Sequence, residues 1–287
     1  MSYRLLLADV NREYAQLTEH ELANLGVVVG TYRSLRGNRR KHVAYVGMPI
    51  TTGKRYYDTL IEHRVKTPDE LNAKLGPLAL WELVVQPNLR EGSAFADRLG
   101  KERKLLCIAP SVFDAKPWQW SQHAYMALWF LVLGELSGRH YVMDAWEYST
   151  GQAREVLFSM FLQWAGVTRS NLDEVKQQWG LGNFDHCTTV ERVREELENM
   201  RKIRVFDSSS RVIHSDVALA KCVDALYWLH DHGFGTQELE KIAWAMKQIP
   251  VLSLGCLNWE QPPYDPFTRI YDDARKRLHE FLGFRNY

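Results

Sequence analysis

Between residues 42 and 165, short apolar runs of strand length alternate with stretches of helical periodicity. Residues 43–46, 80–86, 104–109 and 141–145 are the near-continuous apolar runs, as expected of strands buried on both faces of a parallel sheet. Helical spacing occupies 54–62, 68–75, 92–103, 121–136 and 151–165. Thr67-Pro68-Asp69-Glu70 opens the second of these as a helix start, with proline where its missing N–H costs nothing. The helix at 121–136 is apolar over more than one stripe, which predicts burial against the sheet and against a neighbouring helix or subunit. Strands and helices in this alternation predict an α/β fold with a parallel sheet and crossover helices.

The flanks differ. Residues 1–41 carry an apolar run at 5–10, a helical pattern at 13–25, and Gly26-Val-Val-Val-Gly30, which has strand composition. Arg33, Arg36, Arg39, Arg40 and Lys41 then form a basic run, read as a solvated loop with polyanion contact as the alternative. Beyond Gly166 the alternation fades into helical patterns at 171–179, 189–201, 215–229, 236–248 and 266–282, with one short strand candidate at 203–206. We therefore expect an N-terminal extension (1–41), an α/β core (42–168), and a mostly helical C-terminal region (169–287) that caps a cleft or makes a dimer surface. No internal repeat or low-complexity tract interrupts this scheme.

Candidate chemistry lies where two strands end. After the strand at 141–145 comes Trp146-Glu-Tyr-Ser149-Thr-Gly151-Gln-Ala-Arg-Glu155, a polar turn that opens into a helix. Ser149, Thr150 and Gly151 would form an anion seat at that helix N-terminus, and Glu155 lies one turn further in. The strand at 43–46 has a similar build, running through Tyr45 into a turn with Gly47, Pro49 and Gly53, then Lys54 and Arg55. Glycine lets backbone approach a ligand closely, and cations at a helix start make physical sense when they meet an anion, with a solvent-facing pair as the alternative.

Together these stretches resemble the nucleoside 2-deoxyribosyltransferase superfamily, which includes 2'-deoxynucleoside 5'-monophosphate N-hydrolases. In that family a first strand bearing a tyrosine runs into a glycine-containing loop, matched by Tyr45, Gly47 and Gly53, and the last strand leads to Ser/Asp-x-Gly-x-x-x-Glu, matched by Ser149, Gly151 and Glu155. The resemblance spans roughly residues 42–165. It implies a Rossmann-like (flavodoxin-like) parallel sheet flanked by helices, a homodimer, and a nucleotide N-glycosidase that hydrolyses or transfers the base–sugar bond of a (deoxy)nucleoside 5'-monophosphate. It assigns Glu155 as nucleophile and Tyr45 as the residue that orients it. Serine at 149, in place of the aspartate of members that use free nucleosides, implies a 5'-phosphate.

An N-glycosidic bond breaks through a cation-like sugar, so a carboxylate beneath the anomeric carbon stabilises it or bonds to it. The departing base needs a proton donor, for which Asp144 is the first candidate and Asp114 the second. Asp114, Trp118 and Trp146 are candidate base or sugar contacts in crest loops, and Gly47, Pro49, Gly53, Lys54, Arg55, Ser149 and Gly151 line the expected seat. The bland alternative for Glu155 is an acid complementing the helix dipole, and for a tryptophan, core packing.

Composition narrows the partners. A net charge of +1 argues against a strongly basic nucleic-acid binder and favours a small-molecule nucleotide. Ten tryptophans are unusual, and base stacking is the sharper reading for those in crest loops, Trp120 among them. The four cysteines form no C-x-x-C pair, so neither zinc nor a disulfide framework is indicated and a reducing cytoplasm fits. His230-Asp-His232 reads as a solvated helix end rather than a metal site. No apolar stretch is long enough to span a bilayer, and the chemistry calls for no metal or organic cofactor. Two other functions remain open, a non-catalytic nucleotide sensor and an enzyme acting on a base within nucleic acid.

Overall fold

The computed structural model describes residues 16–36, 42–112, 120–164 and 203–255. Four parallel strands, β1 (Val43–Gly47), β2 (Leu106–Ile108), β3 (Arg139–Val142) and β4 (Arg204–Phe206), form one sheet in the order β2-β1-β3-β4. The described helices are α1 (Glu19–Arg36), α2 (Lys54–Glu62), α3 (Pro68–Leu75), α4 (Gln86–Arg103), α5 (Gln122–Leu131), α6 (Thr150–Trp164), α7 (Ser215–Asp231) and α8 (Gln237–Gly255). This is a Rossmann-like α/β fold. The chain steps from β1 outward to β2, then returns to lay β3 on the other side of β1. The carboxyl ends of β1 and β3 therefore flank the switch point where open α/β sheets bind ligands.

Side chains alternate across β1. Ala44 and Val46 pack with Phe95, Ala96 and Leu99 of α4, while Val43 and Tyr45 enter the larger core with α1, α5, α6, α7 and α8. All five residues of β1 are buried, which explains its unbroken apolar run. Among the described residues, no helix is long and apolar enough to cross a membrane.

Several elements depart from the sequence reading. Residues 80–86 are not a strand: a π turn at Trp81–Val85 leads directly into α4, with Pro87 in the first turn. Pro87 has no N–H to return to the preceding turn, and the wider turn accommodates it. Residues 26–30 are also helical, within α1, because Leu25 and Val29 are buried one turn apart while Val27 is exposed. Thr18 and Glu21 cap that helix reciprocally, and Glu21 also accepts from the Ser121 N–H at the start of α5.

The sheet also crosses the expected boundary at residue 168. Its fourth strand is β4, and α8 packs on α6, so the described part of 169–287 belongs to the same packed unit. The first 41 residues likewise contribute Leu25 and Val29 to the main core. The patterns at 5–10, 171–179, 189–201 and 266–282 lie outside the described residues.

Candidate functional site

The two crests meet. β1 and β3 are hydrogen-bonded neighbours, with Tyr45 opposite His140 and Gly47 opposite Val142. From β1, Tyr45 Oη donates to Glu155 Oε1 of α6 at 2.7 Å, and both residues are buried. Gln152, Glu155 and Ser159 lie three and four positions apart on α6, so helical geometry sets them on one face, toward β1 and β3. Ser159 Oγ lies 2.9 Å from His140 Nδ1, and the His140 ring packs on Tyr45 with centroids 5.2 Å apart.

Polar atoms without partners collect beside this pair. His140 Nε2, both amide atoms of Gln152 and Glu155 Oε2 are buried and make no hydrogen bond. A methyl group built on Gly47 would sit 2.9 Å from His140 Nε2, 3.0 Å from Gln152 Nε2 and 3.1 Å from Glu155 Oε2. Three side chains thus converge on the bare Cα face of one glycine, and any other residue at 47 would crowd them.

Burial dominates the electrostatics. It pushes the Glu155 carboxyl up to about 8, against a smaller downward pull from the Tyr45 hydrogen bond and from Arg154. Burial also drops His140 to about 3, so the imidazole is neutral at physiological pH. The Tyr45 phenol is raised by burial and by Glu155, so the hydroxyl is the donor in their bond.

The loops above the pair are tied together. Thr52 Oγ1 and Ser149 Oγ share a hydrogen bond at 3.2 Å, joining the two crests. Asn88 Nδ2 donates to the Ile50 carbonyl at 3.0 Å and holds the β1 crest from the α4 side. Gly53 has φ +112°, and a Cβ there would stand 2.7 Å from Pro49 Cβ, so this turn needs glycine. Ser149 is buried and its carbonyl accepts from Ala153 N at the start of α6, while Gly151 has open space beside its Cα.

Other expected contacts are arranged differently. Trp146 is 1% exposed, because the left-handed turn at Ala145 carries the chain back inward and its ring joins the core. It is a packing residue and not a crest platform. Trp120 is buried in the same core. Lys54 pairs with Asp58 and rests 4.0 Å from the Trp228 ring centre, with Tyr148 on another side. Arg55 turns toward α4, donating to Asn88 Oδ1 at 2.8 Å and Glu91 Oε1 at 2.5 Å. Both cations are therefore committed to protein partners instead of facing an open seat at Ser149. Asp144 is exposed on the β3 crest, where Ser208 donates to it at 2.6 Å, and so does not share the buried setting of Glu155. Asp114 and Trp118 lie outside the described residues, as does most of the basic run at 33–41.

Sequence reasoning missed His140, Gln152, Ser159, Thr52 and Trp228. Helical spacing back from Glu155 would have found Gln152, and a lone histidine inside an apolar run was the sign of His140. Among the described residues no group of three or more His, Cys, Asp or Glu side chains could hold a metal ion. His232 stacks on Trp228 and bonds its carbonyl through Nδ1, while His230 is exposed beside Asp231. Compared with known proteins, the chain matches no family model, no curated protein and no solved structure.

Proposed function

We propose that the chain is a nucleotide N-glycosidase that cleaves the base–sugar bond of a nucleoside 5'-monophosphate through Glu155. The observation that carries this reading is the Tyr45–Glu155 hydrogen bond at the switch point, which leaves Glu155 Oε2 free beside Gly47. A carboxylate held by one oxygen, with the other unpartnered beside a glycine, is suited to attack an anomeric carbon.

In the proposed reaction Glu155 Oε2 bonds to the anomeric carbon as the bond to the base nitrogen breaks. The leaving electron pair takes a proton from a water on the crest, which Asp144, exposed there and bonded by Ser208, is proposed to hold. A second water then attacks the same carbon, loses a proton to the hydroxide so formed, and frees the sugar phosphate and Glu155. Because burial holds Glu155 at about 8, a neutral resting carboxyl must ionise first, and the positive charge developing on the sugar favours this. The first-turn N–H groups of α6 at Gly151 are the proposed phosphate contact, with Ser149 closing the seat.

Chromatography of the protein incubated with a panel of nucleosides and nucleotides tests this reading. Release of free base from 5'-monophosphates, and its loss in Glu155→Ala, is expected. Equal release by wild type and Glu155→Ala would remove Glu155 from the chemistry. A second reading, nucleotide binding without turnover, is favoured by the raised pKa of Glu155, which leaves the carboxyl neutral at rest. It predicts a ligand-dependent rise in melting temperature with no base released.

A further inference from the structure

Glu155 is one of three side chains around Gly47 with unmet hydrogen-bonding capacity. His140 is 0%, Gln152 2% and Glu155 5% exposed, and each sets a partnerless polar atom 2.9–3.1 Å from where a Cβ on Gly47 would stand, so the three cluster at one glycine. A buried polar group without a partner loses its hydration and gains nothing in return, so this concentration is unfavourable until something polar reaches it. The complementary group must both donate and accept, because Gln152 offers an amide N–H and a carbonyl oxygen while His140 Nε2 and Glu155 Oε2 each take either role. An anion does not fit beside a carboxyl and a neutral imidazole. An apolar group would leave every one of these atoms unpaired. A hydroxyl fits, carrying one hydrogen and two lone pairs.

Resting on the reading of Glu155 as nucleophile, we propose that His140 and Gln152 receive the sugar hydroxyl on the carbon next to the one Glu155 attacks, which makes the substrate a ribonucleotide. When a carboxylate bonds to an anomeric carbon, the neighbouring hydroxyl lies beside it, and hydrogen bonds to that hydroxyl strengthen in the transition state. A 2'-deoxy sugar presents only a methylene there. Sites built to bond a substrate hydroxyl reject the analogue lacking it by up to ~10⁴–10⁵-fold. His140 is itself held in place by Ser159, so the acceptance of the hydroxyl is built into the sheet–helix contact and not into a mobile loop.

The test compares initial rates of base release from AMP, GMP, CMP and UMP with those from dAMP, dGMP, dCMP and dUMP. With the reactive base, wild type is expected to prefer the ribonucleotide by ~100-fold or more in kcat/KM. Gln152→Leu should lower the ribonucleotide rate more than the deoxynucleotide rate and so shrink the preference, while Gln152→Asn restores part of it. Equal wild-type rates on both sugars would overturn the inference. So would a Gln152→Leu protein slowed equally on both, since the polar atoms would then hold a structural water only. Thermal melts with ribose 5-phosphate and 2-deoxyribose 5-phosphate separate this inference from the catalytic reading. If no nucleotide releases base yet only ribose 5-phosphate raises the melting temperature, the glycosidase reading fails and sugar recognition stands. If both sugars or neither raise it, the recognition fails too.

Discussion

The two faces of β1 and β3 are built from alternate residues of the same strands and do opposite work. On one face Ala44, Val46 and Tyr141 meet Phe95, Ala96 and Leu99 of α4, and the Tyr141 ring stacks on Phe206 at 4.9 Å. On the other, Tyr45 and His140 meet Glu155 and Ser159 of α6, with polar atoms left over. The first face gains stability from apolar burial. The second spends part of it to keep a carboxyl, an imidazole and an amide dry and close together. That is the pattern expected when a site is set into a core: local rules of packing are broken where chemistry is needed and obeyed on the opposite side.

The sharpest way to break the comparison is pH. Glu155 has a folded pKa of about 8 against 4.5 free, so the stability linked to it is full below about 4.5 and is lost as pH rises through about 8. That gap corresponds to on the order of 5 kcal/mol. Glu155→Gln carries no such proton, so denaturant unfolding at pH 5, 7 and 9 should show the variant gaining on wild type as pH rises. A constant difference across that range would mean that Glu155 is not buried as described. His140 works in the other direction, since its folded pKa of about 3 lies below the free value of 6.5. Its contribution is full above 6.5 and is lost as pH falls toward 3, and His140→Asn should flatten the acid side of the same curve.

Next in size is Phe95→Ala on the apolar face. It should cost about 3–5 kcal/mol in denaturant unfolding. Because Phe95 faces away from Glu155, kcat of the folded fraction should stay within a factor of two. A large fall in kcat would show that the two faces are coupled through β1.

Tyr45→Phe is smaller in stability, about 1 kcal/mol, but specific in chemistry. The lost hydrogen bond was lowering the Glu155 pKa, so the alkaline transition should move to higher pH in the variant. A transition that stays put would remove Tyr45 from any orienting role. The smallest effect belongs to Val27→Ser on the exposed side of α1, expected within about 0.5 kcal/mol of wild type.

Much of this architecture was legible in the sequence. β1 and β3 each announce themselves as an apolar run closed by a polar or glycine turn, and Thr67 and Ser121 mark the starts of α3 and α5 by accepting from Glu70 N and Ala124 N. The pairing of Tyr45 with Glu155 follows from a parallel sheet that puts β1 beside β3. What was not legible depends on distant packing. Apolar runs at 26–30 and 80–86 have strand composition, and only their neighbours decide that they are helical. Trp146 follows a strand as a ligand-contacting ring would, yet one left-handed residue before it sends it into the core. Lys54 was readable as a cation at a helix start, but its Trp228 partner comes from a helix far along the chain.

The central claim is that the Tyr45-bonded carboxyl of Glu155 is the group that reacts. Its most direct test is the rate of base release against pH for wild type and Glu155→Gln. The account predicts a wild-type rate that climbs as pH passes through about 8, with no measurable release by the variant at any pH. Base release by Glu155→Gln at the wild-type rate would contradict it.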